Sequence, residues 1–562
     1  MGQSMTKRSE RTQAKPLRIL TTGIMLSAFI ALPAQAEWLK AETQHFVVYG
    51  DTSEASLRRY ARKVERFDAL LRTYYPIQTD HEIPKLEIFM AEGRRDMNRI
   101  SPGISEGVAG YYSPNSGRIY TVVDTRSSMG DVVVFHEYAH HFMFQMKANA
   151  YPSWFVEGFA EYYSTANLTD ERIQFGRHNP GRVNSLNMGF NTWARMEDVL
   201  KWRISDSGRF PAHLYYAQSW AMTHYFMSTP ERTQMLRRYL TAVASGEDSV
   251  VAMQAATGRT AAQLQDDVWR YTSGSINVTS PQIPVTHPEV TVSQMSKAEA
   301  DAIWLDVRLD NAPIKLPAEE EAEGDTQSDA QKARRARDRR QANENRAELI
   351  RSAFALGERY ADSDVGRLLT ARAHRLSQRP DLALAVLEPS LGDHATNAKV
   401  LRVAALALLD QTESASSIDD ANELRRQAAA YLARAMDAEP LDFRIYLGLN
   451  DVRRGQPRYP TDNDISTLEV ACTLAPQSFD CRTRLGHAYM ARDMNAEAIT
   501  ILTPVSNSPH QSAYKRRARQ MIDQARQALG QAPLEEASEP EEPQDDIGAP
   551  DTTSDARPLP AS

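Results

Sequence analysis

The chain has 562 residues, of which 42% are hydrophobic and 25% are charged, and its formal net charge is −8. Its 26 glycines and 29 prolines exclude collagen-like and low-complexity classes, and its mean hydropathy of −0.51 excludes a polytopic membrane protein. Two cysteines exclude a disulfide scaffold, and the negative charge gives no reason to expect nucleic acid as a partner. The length predicts several domains.

Residues 1–36 have the pattern of a secretory signal peptide. A basic stretch precedes an apolar run from Ile19 to Pro33, and the small-x-small sequence Ala34-Gln35-Ala36 follows as a cleavage site. The apolar run is short for a transmembrane helix. The sequence therefore predicts an exported bacterial protein, periplasmic or secreted, with no transmembrane segment after signal removal. Retention of this segment as an N-terminal anchor is the alternative.

Residues 37–275 mix strand and helix patterns. β-Branched and aromatic residues predict four strands, at 45–50, 85–91, 108–112 and 118–123. Apolar residues at three- and four-residue steps predict a helix over 55–74, and the pattern after residue 130 is mostly helical. Turn residues between the last two strands predict a β-hairpin. We expect an α+β domain here.

The rest of the chain divides by composition. Residues 276–347 are predicted to be a charged and partly disordered linker, with an acidic run at 319–325 and a basic run at 332–340. Residues 348–530 are alanine-rich and helical. Residues 531–562 are rich in Glu, Asp, Pro and Ser, which predicts a disordered acidic tail.

Within the helical part, two stretches are nearly in phase, with Pro440 and Pro476 36 residues apart. The residues at 485–502 resemble a tetratricopeptide repeat, and the region resembles a degenerate array of about four helix pairs. An ordinary helical bundle is the alternative. Cys472 and Cys481 are close in sequence, and a disulfide and two buried thiols remain equally open.

The residues that carry chemistry begin with His136-Glu137-Tyr138-Ala139-His140. Positions i and i+4 share one helix face, so both imidazoles can bind one zinc ion. Glu137 lies beside them and can take a proton from water. A zinc site of this kind needs a third ligand and one open position.

A second helical stretch follows at 154–163 and contains Glu157 and Glu161, again at i and i+4. Two acids on an aromatic-rich helix are costly unless they are paired or bind metal. Gly158 lies between them and costs helix stability relative to Ala. The close approach of another helix would explain this glycine.

These motifs resemble the gluzincin metallopeptidases, in which the histidine pair is followed by a distant glutamate. The string from Trp154 to Tyr162 is similar to the W-L-N-E-G-F-A string of the gluzincin aminopeptidases, and the resemblance covers about residues 105–226. It implies a zincin-like α+β catalytic domain with a small mixed sheet and helices, followed here by the all-α tetratricopeptide-like domain.

The same resemblance implies the site residues. It makes His136, His140 and Glu157 the ligands of one Zn²⁺ per chain, with Glu137 as the general base. Glu161 matches the acid that orients a histidine ligand from behind in thermolysin-like enzymes.

Two further segments match the family in part. The segment Tyr215 to Ala221 resembles the Y-x-K-G-x-A segment whose tyrosine binds the oxyanion, which implies this role for Tyr216, with Tyr215 as the fallback. Gln218-Ser219 departs from the family's Lys-Gly, and a core tyrosine is the alternative.

The family's aminopeptidases also carry a strand with a glutamate that binds the substrate amine. The corresponding strand here, residues 107–112, has no acid at that position. An open edge strand can instead pair with an extended peptide, so Gly110, Tyr111 and Tyr112 are candidate substrate-binding residues.

We therefore expect an exported zinc endopeptidase that acts on polypeptides, with repeats that recruit substrate or a protein partner. One alternative is an envelope scaffold that works through its repeats and has a weakly active or latent zinc domain. Another is an aminopeptidase-like enzyme or a zinc hydrolase of a non-peptide substrate. The sequence leaves cleavage specificity, the partner and the oligomeric state open.

Overall fold

The computed structural model describes residues 38–76, 81–146, 150–187, 193–203, 211–281, 287–315, 329–508 and 512–533. The predicted signal peptide, the acidic run at 319–325 and nearly all of the predicted acidic tail lie outside these ranges. The described residues belong to one compact unit. Within the described ranges, every helix is too short or too polar to cross a membrane.

The first part of the fold is built on a mixed β-sheet and a small separate hairpin. Its strands are β1 (Leu39–Glu42), β2 (Phe46–Gly50), β3 (Leu86–Ala91), β4 (Gly110–Pro114), β5 (Ile119–Asp124), β6 (Asn167–Leu168), β7 (Ile173–Gln174) and β8 (Thr291–Gln294). The sheet has the order β4-β5-β3-β2-β1-β8, and β6 and β7 form the hairpin. The β2–β3 and β3–β5 pairs are parallel, and the other neighbours are antiparallel. Strand β4 therefore lies at one edge of the sheet.

Helices cover this sheet and continue beyond it. They are α1 (Glu54–Tyr74), α2 (Arg94–Ile100), α3 (Gly130–Met146), α4 (Ser153–Ser164), α5 (Pro180–Leu186), α6 (Met196–Lys201), α7 (Ala212–Met227), α8 (Pro230–Ala244), α9 (Ser249–Thr257) and α10 (Ala261–Thr272). Helix α1 begins at a Ser53 N-cap, and its apolar face is buried on the sheet. Stacking of Phe67 on Phe135, with ring centroids 4.2 Å apart, brings α1 against α3. The predicted α+β class is confirmed.

Part of the predicted linker belongs to the sheet and its core. Strand β8 pairs antiparallel with β1, and α11 (Lys297–Asn311) follows it. Ile303, Trp304 and Val307 of α11 are buried against the sheet residues Phe89 and Tyr120. Residues 291–311, predicted as part of a linker, therefore form a strand and a helix. The sequence did not predict strand β8, because its residues Thr-Val-Ser-Gln are mostly exposed and lack the alternation typical of a half-buried strand.

The second part is helical. Its helices are α12 (Asp329–Arg359), α13 (Asp364–Leu376), α14 (Pro380–Leu387), α15 (Ala398–Gln411), α16 (Ile418–Ala438), α17 (Phe443–Arg453), α18 (Asp462–Leu474), α19 (Phe479–Met490), α20 (Asn495–Ser506) and α21 (Ala513–Ala528). Each packs on the next, and the pairs α13–α15, α15–α17 and α19–α21 are also in contact. The basic run at 332–340 lies in α12 and is exposed. Cys472 and Cys481 are buried free thiols.

Gly158 on α4 marks the closest approach to α7. A Cβ at this position would lie 2.2 Å from Thr223 Oγ1 and 2.4 Å from the carbonyl oxygen of Ser219, so α7 leaves no room for a side chain. The close helix approach expected from the sequence is therefore confirmed.

We predict that Gly158→Ala lowers the free energy of unfolding by about 1–3 kcal/mol, because the added methyl group forces α4 and α7 apart. Chemical denaturation monitored by circular dichroism measures the change. Gly392→Ala is the matched control, since a Cβ there meets no atom within 4 Å. Equal stability of the two variants would contradict the close packing.

Candidate metal centre

Three side chains from two helices converge on one point. His136 and His140 project from α3, and their Nε2 atoms are 3.1 Å apart. Glu157 projects from α4, and its Oε2 lies 3.5 Å from each of these two nitrogens. The three atoms form a nearly regular triangle, which is what the i, i+4 spacing and the adjoining helix predict.

The size of this triangle fits a zinc ion. Tetrahedral zinc with ligand distances of about 2.0–2.1 Å places neighbouring ligand atoms about 3.3 Å apart. The distance between the two Nε2 atoms alone would also fit a hydrogen bond, if one of them carries a proton. The fit to zinc therefore depends on all three ligand atoms together. Glu157 is fully buried, and a carboxylate at such a position requires a compensating positive charge.

Glu161 lies behind the first histidine, one turn after Glu157 on α4. Its Oε1 is 3.4 Å from Nδ1 of His136, the ring nitrogen that points away from the triangle. The same oxygen accepts a hydrogen bond of 2.7 Å from Arg182 Nη2. Both side chains are buried. An acid in this position can fix the orientation of the His136 ring.

The acids around His136 alter its protonation in the metal-free chain. Burial lowers the pKa of this imidazole, but Glu157, Glu161 and Glu137 together raise it above its ordinary value. A metal ion and a proton therefore compete for the same Nε2 atom.

Glu137 is half-buried next to the triangle. Its negative charge contributes to the raised pKa values of His136, Tyr112 and Tyr216, so the carboxylate lies near all three side chains. A general base must lie at such a position, beside the metal ligands and not among them.

Tyr216 on α7 faces the histidine pair. Its ring centroid is 6.3 Å from that of His136, and the Arg182 guanidinium lies 4.9 Å above its ring. Burial, then Glu157, raises the pKa of Tyr216 well above its ordinary value, so the phenol keeps its proton and can donate a hydrogen bond. The fallback residue Tyr215 is fully buried, and its hydroxyl donates to the carbonyl oxygen of Trp202, 3.2 Å away.

The candidate substrate strand β4 lies at the sheet edge, but its side chains are buried. Tyr111 packs on α2 and α11, and Tyr112 faces α3 on the opposite side. A Cβ at Gly110 would lie 2.6 Å from the carbonyl oxygen of Val122. Gly110, Tyr111 and Tyr112 are buried as whole residues, backbone included, so they offer a substrate no accessible side chain.

A second acidic group supports α3 from behind. His45 Nδ1 lies 2.5 Å from Glu65 Oε1 and 3.1 Å from Asp68 Oδ2. Asp68 also accepts a hydrogen bond of 2.6 Å from Tyr138, which lies between the two histidines of the motif. At these distances the imidazole of His45 is hydrogen-bonded to the two carboxylates. This group holds α3 in place.

Two residues near the centre were missed by the sequence analysis. Arg182 lies in the short helix α5 and joins Glu161 to Tyr216. Gln477 comes from the second part of the chain, and its Nε2 lies 3.2 Å from Nδ1 of His141 on α3. Neither residue belongs to a spaced motif, so no sequence pattern could have identified them.

We predict that Glu157 and Glu161 differ in their effect on zinc. Glu157→Gln removes a charged ligand and should abolish stoichiometric zinc binding, whereas Glu161→Gln should retain zinc with about 10–100-fold weaker affinity. Metal analysis after dialysis and chelator competition give the two quantities. Glu247→Gln, at an exposed position, is the control. If only the Glu161 variant loses zinc, Glu161 is the metal ligand and Glu157 is the supporting acid.

Comparison with known protein families matches residues 132–246 to a family described as "Protein of unknown function (DUF1570)". This segment runs from α3 to just past α8 and contains the candidate ligands, Glu137, Arg182 and Tyr216. No curated protein matches the chain. Among solved structures, "MamA MSR-1 C2" matches with 17% identity and a TM-score of 0.23, covering 34% of this chain and 98% of that chain. At this TM-score the likeness supports no argument about fold or function.

Proposed function

We propose that the chain is a zinc-dependent peptidase of the gluzincin type. The observation that carries the proposal is the convergence of His136 Nε2, His140 Nε2 and Glu157 Oε2 within 3.5 Å of one another, with Glu137 beside them. Three protein ligands leave the fourth position of a tetrahedral ion for water or substrate, as a catalytic zinc site requires.

The residues of the chain then have distinct roles in the reaction. When bound, zinc supplies Lewis acidity and makes water acidic enough to react near neutral pH. Glu137 accepts a proton from the attacking water and passes it to the leaving amine nitrogen. Tyr216 donates a hydrogen bond to the carbonyl oxygen as negative charge develops there. Arg182 holds Glu161, which orients the His136 ring.

An endopeptidase fits the site better than an aminopeptidase. The strand at 107–112 has no acid that could bind a free amine. Among the described residues, strand β4 has a sheet neighbour on one side only, β5, and the backbone of such an edge can pair with an extended peptide. A polypeptide is therefore the proposed substrate.

We further propose that the helices from residue 348 to 530 are tetratricopeptide-like repeats, on the spacing of Pro440 and Pro476 and on the contacts between alternate helices. The signal pattern at residues 1–36 supports export to the periplasm or beyond. The repeats also give the scaffold alternative its support, because helical repeats commonly bind other proteins. Loss or retention of turnover in a general-base variant separates the two functions.

We predict that Glu137→Gln keeps about one zinc per chain but lowers peptidase turnover by about 10²–10⁴-fold, because the amide cannot accept the proton of water. Zinc content is measured on the chain from residue 37 onward, and turnover is measured on casein and on a peptide library. Glu247→Gln is the matched control.

Each other outcome has a defined meaning. If neither the parent nor the variant binds zinc, the metal centre is wrong. If both bind zinc and cut equally, Glu137 is not the base. If both bind zinc and neither cuts, the scaffold alternative is favoured.

A further inference from the structure

Helices α13, α15 and α17, which line the inner face of the proposed repeats, contact α11 and the β4–β5 hairpin of the same chain. Helix α11 presents Asp306 and Asp310 towards α13, α15 and α17. Arg372 of α13 donates to Asp310 Oδ1 at 2.6 Å and to Asp306 Oδ1 at 2.7 Å. Lys399 of α15 donates to Asp306 Oδ1 at 2.5 Å, and Arg444 of α17 lies 3.7 Å from Asp310 Oδ2.

The β4–β5 hairpin is held in the same group of charges. Arg118, at the start of β5, donates to Glu87 at 2.7 Å and to Asp306 at 2.8 Å. The carbonyl oxygen of Gly117 accepts a hydrogen bond of 3.1 Å from Arg444. A Cβ at Gly117 would lie 1.9 Å from the carbonyl oxygen of Asp310, so the hairpin turn fits directly against α11. The turn therefore lies between α11 and the repeats.

Further along the array, the α18–α19 loop reaches the helix that carries the histidine pair. Gln477 Nε2 lies 3.2 Å from His141 Nδ1 and also donates to Gln145 Oε1. The hydroxyl of Tyr112 on β4 lies 3.0 Å from the same His141 nitrogen. Gln477 and His141 are both buried. Gln477 thus contacts the junction of β4 and α3.

We propose that the repeats act within their own chain as a brace: their inner face binds α11 and the β4–β5 hairpin and fixes β4 beside the metal centre, with Gln477 as a positioning residue. The part that concerns substrate rests on the proposed peptidase function. The brace also changes the role expected for the repeats. The face formed by α13, α15 and α17 is covered by α11 and the hairpin, so it is not free to recruit a partner. A peptide partner would have to displace α11 or bind elsewhere on the array.

The structural half of the proposal is tested without any activity. In the full chain from residue 37 onward, Gln477→Ala should increase hydrogen exchange of the amides at 110–124 by about tenfold, while zinc content stays at the parent value. Gln527→Ala, exposed on α21, is the control and should leave exchange unchanged. Unchanged exchange of β4 and β5 in the Gln477 variant would overturn the brace.

Asp310→Asn provides a second variant that acts on the other contact. It removes the negative charge that faces Arg372, Lys399 and Arg444, so exchange should increase at the hairpin turn and in α11. If the Asp310 variant does not fold, Gln477→Ala still tests the brace. That substitution leaves no buried charge without a partner, so we expect it to fold. A folded Asp310 variant with parent-like exchange in both segments would contradict the proposal.

The catalytic half is tested by kinetics. If β4 binds the substrate backbone, Gln477→Ala should raise KM for a peptide about tenfold and change kcat less than twofold, since the metal ligands and Glu137 are untouched. Gln477→Glu, which keeps the shape of the side chain but loses the amide donor to His141 Nδ1 and Gln145 Oε1, should not restore KM. If the parent binds zinc and cuts peptides but Gln477→Ala leaves KM unchanged, the positioning role of Gln477 is refuted and the peptidase proposal is not. A parent that binds no zinc refutes the peptidase proposal, while hydrogen exchange still decides on the brace.

Discussion

The carboxylate of Glu157 is fully buried in a core of aromatic side chains, and the arrangement of α3, α4 and α7 depends on it. Such a charge is unfavourable in an apolar environment unless positive charge or hydrogen-bond donors surround it. Here two imidazoles lie on one side of it, and Glu161 with Arg182 lies behind the first of them. Gly158 lets α7 approach closely enough to bring Tyr216 to the same place. The fold of the first part is largely what is needed to hold this group together.

The sequence predicted this group because its spacing is local. The histidines at i and i+4, and the acids at i and i+4 on the next helix, define helix faces from the chain alone. The strands at β2, β3, β4 and β5 were also predictable, because each has a dense run of β-branched and aromatic residues. Gly158 could be interpreted in advance, since a glycine inside a helix needs a packing reason.

The features that the sequence did not reveal depend on contacts between distant segments. Strand β8 has no alternation of apolar and polar residues. Helix α11 packs some of its apolar residues on the sheet and others on α12 and α13, so its sequence shows no single apolar face. Arg182 and Gln477 are single polar residues whose meaning comes from their neighbours in space. The buried side chains of Tyr111 and Tyr112 likewise follow from helices that pack on both faces of β4. Pattern analysis has no access to any of these contacts.

The pairing of β1 with β8 also has a consequence for biogenesis. Strand β1 comes first among the described elements, whereas its outer neighbour β8 comes only after β2 to β7 and α1 to α10 have been made. Until β8 arrives, β1 presents unpaired backbone groups along its outer edge, and such edges pair readily with other chains. A non-local pairing of this kind forms late and slows folding. In a chain that is made from its N-terminus, the outer edge of β1 therefore stays unpaired until residues 291–294 have been made.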